Sequence, residues 1–280
     1  MSADWPTAAE WLSERSDEAA AVVVAGVPLV EGAVTPSRYD LTPAAVRGRL
    51  ARLSVFHSER GVGLPRVRDL GDAIDPPPLD APLTILLGGH NGVTFSALMP
   101  CAELAGWGLL TLDAHHDVRP YAPGPPGNGS PVRALVDAGL LASNVVQVGI
   151  HGFSNSPVHR TWCEEQGIEI HGPQAVRDVP RLLDKLAQRV DHVYVDLDLD
   201  VLDRAFAPAC PGARPGGITP SDLFTAAFAT GAHPSVRAVD VVEVDAAADL
   251  ANITVDAAAL CLLNVAAGYG TRPAAGVALL

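Results

Sequence analysis

The residues of this 280-residue sequence best placed to do chemistry fall in two short acidic clusters. One reads Asp113-Ala114-His115-His116-Asp117. The other reads Asp196-Leu197-Asp198-Leu199-Asp200, with Asp203 just beyond. In an extended segment, residues i and i+2 point to the same side. Asp113, His115 and Asp117 can therefore converge, and so can Asp198 and Asp200. Carboxylates crowded together repel one another unless a cation sits among them. Oxygen donors with one imidazole and no thiolate favour Mn(II) or a similar divalent ion. Two such ions sharing carboxylates would polarise a water to hydroxide, which is hydrolytic chemistry. A lone D-x-D or H-x-D is common in solvated loops and caps. Two clusters, each ending an apolar run, point more firmly to metal.

Both clusters follow strand-like runs. Residues 107–112 lead into Asp113, and 192–195 lead into Asp196. Similar runs occur at 20–28, 83–87, 145–150 and 236–242, the last stopping at Glu243. Short continuous apolar runs bounded by Gly, Pro or Asp read as strands buried on both faces. Helix-like stretches lie at 42–53, 96–105, 131–138, 158–166, 179–189, 220–231 and 254–267. Residues 1–20 read as a polar helix with Trp5, Ala8, Ala9 and Leu12 on one side. The alternation predicts an α/β fold: a central, mostly parallel sheet between two helical layers, one domain over 1–280. Ligands of such sheets bind outside the carboxyl ends of the strands, so both clusters are expected on one edge. The Pro/Gly-rich stretch 123–129 reads as a surface or lid loop.

Composition narrows the function. Hydrophobic residues make up 48%, enough for a sizeable core and too many for a disordered chain. The net charge of -13, from 19 basic and 32 acidic residues, weighs against nucleic acid and anionic membranes as partners. No apolar run is read as reaching the roughly 18–20 residues that span a bilayer. The start, Met1-Ser2-Ala3-Asp4-Trp5, has no basic n-region, so no signal peptide is expected. Cys101, Cys163, Cys210 and Cys261 show no CxxC spacing and read as buried, reduced thiols of a cytoplasmic protein.

The motifs resemble those of the ureohydrolase superfamily: arginases, agmatinases, guanidino-acid hydrolases and formimidoylglutamases. Asp113-Ala114-His115-His116-Asp117 matches the family's DAHxD. Asp198-Leu199-Asp200-Val201-Leu202-Asp203, with Pro208 and Gly216-Gly217 after it, matches DxDxxD. Leu87-Gly88-Gly89 is similar to the GGDH segment, and Asp240-Val241-Val242-Glu243-Val244 to a late D-x-x-E strand. Gly26-Val27-Pro28 followed by 41–47 is similar to the first strand and helix. The resemblance implies an arginase-like fold and two Mn(II) ions; a departure from the family at Asn91 is what leaves one of them weakly held or absent. It implies that Asp113 and Asp198 bridge the ions, that Asp117 completes one shell, and that His115 and Asp200 complete the other. A bridging hydroxide would attack an amidine-like carbon, Glu243 would hold a substrate N–H, and Asp117 would move the proton to the leaving amine. A homo-oligomer, trimer or hexamer, is implied in the same way.

Two departures bear on ligands and substrate. Where the family reads GGDH, this chain reads Gly88-Gly89-His90-Asn91. Ungapped alignment places Asn91 at the metal-ligand position; a one-residue slip would restore His90, otherwise a supporting or plain loop residue. An amide oxygen is a weaker donor than imidazole, so the ion on the Asp117 side should be the labile one. The His that arginases and agmatinases carry after DAHxD is replaced by Asn128, in Gly127-Asn128-Gly129-Ser130-Pro131. Formimidoylglutamases also lack that His, and resemble this chain in following DAHxD with a hydrophobic residue and Arg, here Val118-Arg119. Arg119 suits a substrate carboxylate, and Asn128 and Ser130 are grouped with it as substrate-binding. Asp203 is expected to fix the DxD loop through backbone hydrogen bonds, Asp196 to support the ligands, and Arg133 to lie on a solvated helix face. His151, His159 and His171 receive no role. The expected reaction is hydrolysis of N-formimino-L-glutamate to L-glutamate and formamide, in histidine breakdown. Its substrate is a small molecule with an amidine-like group and a carboxylate. The alternatives are a guanidino-compound hydrolase releasing urea, and a metal-depleted binding protein on the same fold.

Overall fold

The computed structural model describes residues 5–14 and 20–273. The strands are β1 (Val22–Val27), β2 (Phe56–His57), β3 (Val62–Gly63), β4 (Val67–Asp72), β5 (Leu83–Gly88), β6 (Trp107–Leu112), β7 (Val145–Val148), β8 (Glu169–His171), β9 (His192–Asp198) and β10 (Val236–Val242). The α-helices are α1 (Ala8–Ser13), α2 (Thr42–Arg49), α3 (Gly92–Leu98), α4 (Pro131–Asp137), α5 (Pro157–Gln166), α6 (Val179–Ala187), α7 (Pro220–Ala232) and α8 (Ile253–Gly270). Eight strands form one sheet in the order β4-β1-β5-β10-β9-β6-β7-β8, and β2 pairs with β3 in a small antiparallel ribbon. Every neighbour pair in the large sheet is parallel.

The three-layer expectation holds. Alternate residues of the sheet enter two separate cores. Val193, Val195 and Leu197 of β9 pack with Leu182 and Leu186 of α6, Ala226 of α7, and Val255 and Leu262 of α8. On the other face, Tyr194 of β9 and Leu109 of β6 join Val93, Ala97 and Leu98 of α3, Val132 and Leu135 of α4, and Cys163 of α5. All four cysteines are free; Cys163, Cys210 and Cys261 are buried, and Cys101 is only half-buried.

Some boundaries differ from the sequence reading. The first helix is short, Ala8–Ser13, and is closed at its start by a Thr7–Glu10 capping box. Trp5 lies outside it and is exposed, while residues 1–4 and 15–19 of the expected helix lie outside the described residues. The helix expected at 96–105 instead begins at Gly92 and ends at Leu98. Pro100 disfavours helix at the residue before it, and Glu103 is left-handed. The edge strands β4 and β8 and the β2–β3 ribbon have no long apolar run to announce them. Helix α8 does reach membrane-spanning length, with 18 residues at a mean hydropathy of 1.4, but 72% of it is buried in the fold against its neighbours. It is a core helix.

Candidate metal centre

Four adjacent strands, β5, β10, β9 and β6, end at one level of the sheet, with Leu87 opposite Val241, Val241 opposite Leu197, and Leu197 opposite Leu112. Their carboxyl ends deliver Asn91, Glu243, Asp198 with Asp200, and Asp113 to one place. The Gly88-Gly89 turn has a steric cause: a Cβ on Gly89 would lie 2.0 Å from the Leu29 carbonyl oxygen. Asp117 and Glu243 both adopt left-handed backbone, at φ 51° and 67°. Non-glycine residues pay for that conformation, and it collects at functional sites.

The carboxylates converge as expected. Asp113, His115 and Asp200 present ligand atoms within 4.8 Å of one another, and so do Asp113, Asp117 and Asp198. Asp113 belongs to both groups. His115 Nδ1 is 2.9 Å from Asp200 Oδ2 and 3.5 Å from Asp113 Oδ1. The backbone N–H groups of Ala114 and Asp200 donate to Asp200 Oδ1 and Asp198 Oδ1, at 3.1 and 2.8 Å. Asn91 Nδ2 faces Asp117 Oδ2 at 2.9 Å and Asp113 Oδ2 and Asp198 Oδ2 at 3.3 Å. Above the cluster lies a cavity of about 130 Å³, lined by His115, Asp117, Asp198, Asp200 and Glu243 and rimmed by Arg119 and Arg214. It is of a size for a small molecule.

Burial and repulsion govern the protonation. Burial, then the Asp200 charge, pushes Asp113 up to about 7. Burial and the neighbouring carboxylates raise Asp117 and Asp198 well above the usual range. Burial would raise Asp200 too, but the His115 imidazole pulls it down. Burial alone would lower His115; Asp200 and Asp113 overcome it and keep the ring protonated far above an ordinary histidine. These carboxylates hold charge comfortably only beside a cation, and their donor set fits hard divalent ions.

Glu243 is tightly held. It accepts from the Asn91 backbone N–H at 2.8 Å, Asn128 Nδ2 at 2.9 Å and the Tyr39 hydroxyl at 3.0 Å. Burial nevertheless raises it to about 7. Asn128 donates one Nδ2 hydrogen to Glu243, its Oδ1 accepts from the Val34 N–H at 2.8 Å, and the residue lines the cavity. His90 does not reach the carboxylates. Its Nε2 donates to the Glu31 carbonyl at 2.7 Å and its Nδ1 accepts from Gly92 N–H at 3.0 Å, and it is the Asn91 amide that faces the carboxylates. Ser130 is buried at the head of α4 and borders an adjoining hollow, not the carboxylate cavity. Arg119 reaches both, and makes no ion pair among the described residues. Arg133 stacks on Trp162. Asp203 accepts from Ala205 and Gly216 N–H, as expected of it.

Asp196 and Asp240 face each other across β9 and β10, both wholly buried. Sequence reasoning left four contributors without a role. Tyr39 sits 204 positions from the Glu243 it holds. Asn155 binds the Ala114 carbonyl and the His116 N–H, fixing the first cluster's loop. Thr94 lies behind Asn91, and His159 lines the cavity wall. None carries a local motif; only Thr94, three residues beyond Asn91 on one helical turn, was within reach of a spacing argument.

Against this geometry, comparison with known proteins is decisive for the family. The arginase-family model matches residues 79–268. The chain belongs to the arginase family and is one of its metal-dependent hydrolases. A formimidoylglutamase of Halalkalibacterium halodurans is 33% identical over 272 residues, covering 87% of this chain and 85% of the relative. The crystal structure of formimidoylglutamase from Bacillus subtilis superposes with a TM-score of 0.88 at 26% identity, covering 98% of this chain and 94% of that one. The crystal structure of Trypanosoma cruzi formiminoglutamase with Mn2+ shares the fold, with a TM-score of 0.84, 22% identity, and coverage of 96% and 100%.

Proposed function

We propose that the chain hydrolyses N-formimino-L-glutamate to L-glutamate and formamide with two Mn(II) ions held by Asn91, Asp113, His115, Asp117, Asp198 and Asp200. The observation that carries the substrate assignment is Arg119, a guanidinium that sits at the rim of an acidic cavity and has no acidic partner among the described residues. A guanidinium there matches a substrate carboxylate in two-point geometry, and discriminates against cationic guanidino substrates such as agmatine. The similarity to formimidoylglutamases supports the same reading.

When bound, divalent ions at these donors would make a water nucleophilic near neutral pH and neutralise developing negative charge. The chain does the rest. Asp113 lies in both ligand groups and sets the spacing between them. Glu243, pinned by its three donors, offers a fixed acceptor to an amidine N–H and so orients the carbon toward the cluster. Asp117, half-buried and open to the cavity, takes a proton from the attacking water and returns it to the departing nitrogen. Water is added across the C–N bond, and formamide and the free amine of glutamate result.

Product identification tests this. NMR of the Mn(II)-loaded protein with N-formimino-L-glutamate, agmatine, arginine and 4-guanidinobutyrate should show formamide from the first and no urea from the others. Urea would move the enzyme to the guanidino branch. Arg119→Lys should raise KM about tenfold or more with kcat little changed, because an ammonium lacks the planar fork.

A further inference from the structure

The amide of Asn91 has two ends, and hydrogen-bond counting decides which one faces the carboxylates. Behind Asn91 stands Thr94, fully buried on α3, with its hydroxyl 2.9 Å from Asn91 Oδ1 and 2.7 Å from Asp240 Oδ2. Tyr194, also buried, donates its hydroxyl to the same Asp240 oxygen at 2.8 Å. A threonine hydroxyl has one proton. It can donate to the Asn91 oxygen or to Asp240, not to both, so one of the two contacts leaves oxygen lone pairs opposed. An amide's oxygen and nitrogen occupy nearly the same outline, and their assignment follows from the network around them. Rotating the Asn91 amide by half a turn removes the conflict. Nδ2 then donates to Thr94 Oγ1, the Thr94 proton goes to Asp240, and Tyr194 holds that carboxylate in place. Thr94 and Tyr194 then each have an acceptor for their one proton, and Thr94 takes up one of the two Nδ2 hydrogens.

The same half-turn brings Oδ1 to Asp113, Asp117 and Asp198. Oxygen facing three carboxylates is tolerable only with a cation among them, which is the chemistry proposed for the cluster and on which this inference rests. We propose that Thr94 and Asp240, steadied by Tyr194, are positioning residues that hold the Asn91 amide with its oxygen toward the metal centre. An imidazole ligand presents a defined nitrogen. An amide needs something behind it to choose the oxygen, and this chain supplies it from α3 and β10.

The test uses the full chain and Mn(II) alone, with bound and free metal read by electron paramagnetic resonance during titration. The spin-coupled signal of a filled pair and the dissociation constant of the weaker ion are the readouts. Thr94→Val keeps the shape and removes the hydroxyl, and should weaken that ion about tenfold, within the 10–100-fold range of such supporting contacts. Thr94→Ser should restore it to within about twofold, since the hydroxyl and its donors return. Asn91→Asp is the discriminating background. Both ends of a carboxylate are oxygen, so orientation ceases to matter and adding Thr94→Val should change the weaker ion by no more than about twofold. An equal loss from Thr94→Val in both backgrounds would show that Thr94 acts through packing, and would overturn the proposal. So would an unchanged dissociation constant in the single Thr94→Val variant. A wild-type chain that takes up no second Mn(II) would instead sink the two-ion reading beneath it.

Discussion

The two halves of the cluster solve the problem of buried negative charge differently. On one side, His115 stands between Asp113 and Asp200 as an internal cation, and Asp200 accepts a backbone N–H as well. On the other, Asp117 Oδ2, Asp113 Oδ2 and Asp198 Oδ2 face the neutral amide of Asn91, and the backbone N–H that Asp198 accepts from Asp200 brings no charge. Protonation follows the same divide: His115 lowers Asp200 despite burial, whereas burial and repulsion raise Asp117 and Asp198. The imidazole half is balanced by its own residues, and the amide half waits on an ion for its balance. With two ions bound as proposed, the one on the amide side is therefore the one whose loss should reshape the site.

The largest effect should come from Asp113→Asn, which breaks both halves at once because Asp113 is common to them. Metal-ion catalysis supplies several kcal/mol, so activity should fall by at least about a thousandfold. Mn(II) per chain, measured after gel filtration, should drop toward zero instead of stopping at one ion. Asn91→His sharpens the comparison by giving both halves an imidazole. The weaker ion should then bind about tenfold more tightly, the order of one improved contact at a metal site. Mn(II) titration checks it: the two dissociation constants should approach each other.

The buried acids also predict opposite responses to pH with and without metal. Asp113 and Glu243 rise to about 7 in the folded chain, against roughly 4 when unfolded. Their protons are held more tightly folded than unfolded. Their contribution to stability is complete below pH 4 and drains away as pH climbs through 7. Metal-free protein should therefore melt at progressively lower temperature from pH 4 to pH 7. Mn(II) binds the deprotonated ligands, so its stabilisation should grow over the same window. Calorimetry with and without Mn(II) measures both slopes, and parallel curves would contradict the assignment.

How far this was legible in the sequence depends on distance along the chain. The strands β6 and β10 are readable because each is a mostly apolar, valine- or leucine-rich run ended by an acid, although β10 carries Arg237 and Asp240 within it. Asp113 with His115, and Asp198 with Asp200, were readable because alternation in an extended segment is a local rule. Asn91 needs the Gly88-Gly89 pair as an anchor, and the packing of His90 against Glu31 and Gly92, which leaves Asn91 facing the carboxylates, is not readable from the spacing. Asn128 lines the cavity, and its amide also ties Glu243 and Val34, 115 and 94 positions away, contacts that no local pattern announces. Short edge strands such as β8, three half-buried residues, leave no periodicity to read. Contacts closed by the topology, with no period behind them, were the ones missed.

The smallest expected effect concerns a residue in neither half. Tyr39 is wholly buried and donates to Glu243 Oε2, while Asn91 and Asn128 hold Oε1. Tyr39→Phe removes one donor of three and leaves the ring packing in place. A single hydrogen bond of this kind is worth about 1–2 kcal/mol, so kcat/KM should fall roughly five- to thirtyfold. Both Mn(II) dissociation constants should stay where they are, because neither ligand group includes Glu243. The freed Oε2 is also easier to protonate, so the acid limb of the pH–rate profile should move to higher pH. A change in metal binding would place Tyr39 and Glu243 inside the amide half. An unchanged profile with reduced kcat/KM would mean that Tyr39 only packs beneath the site.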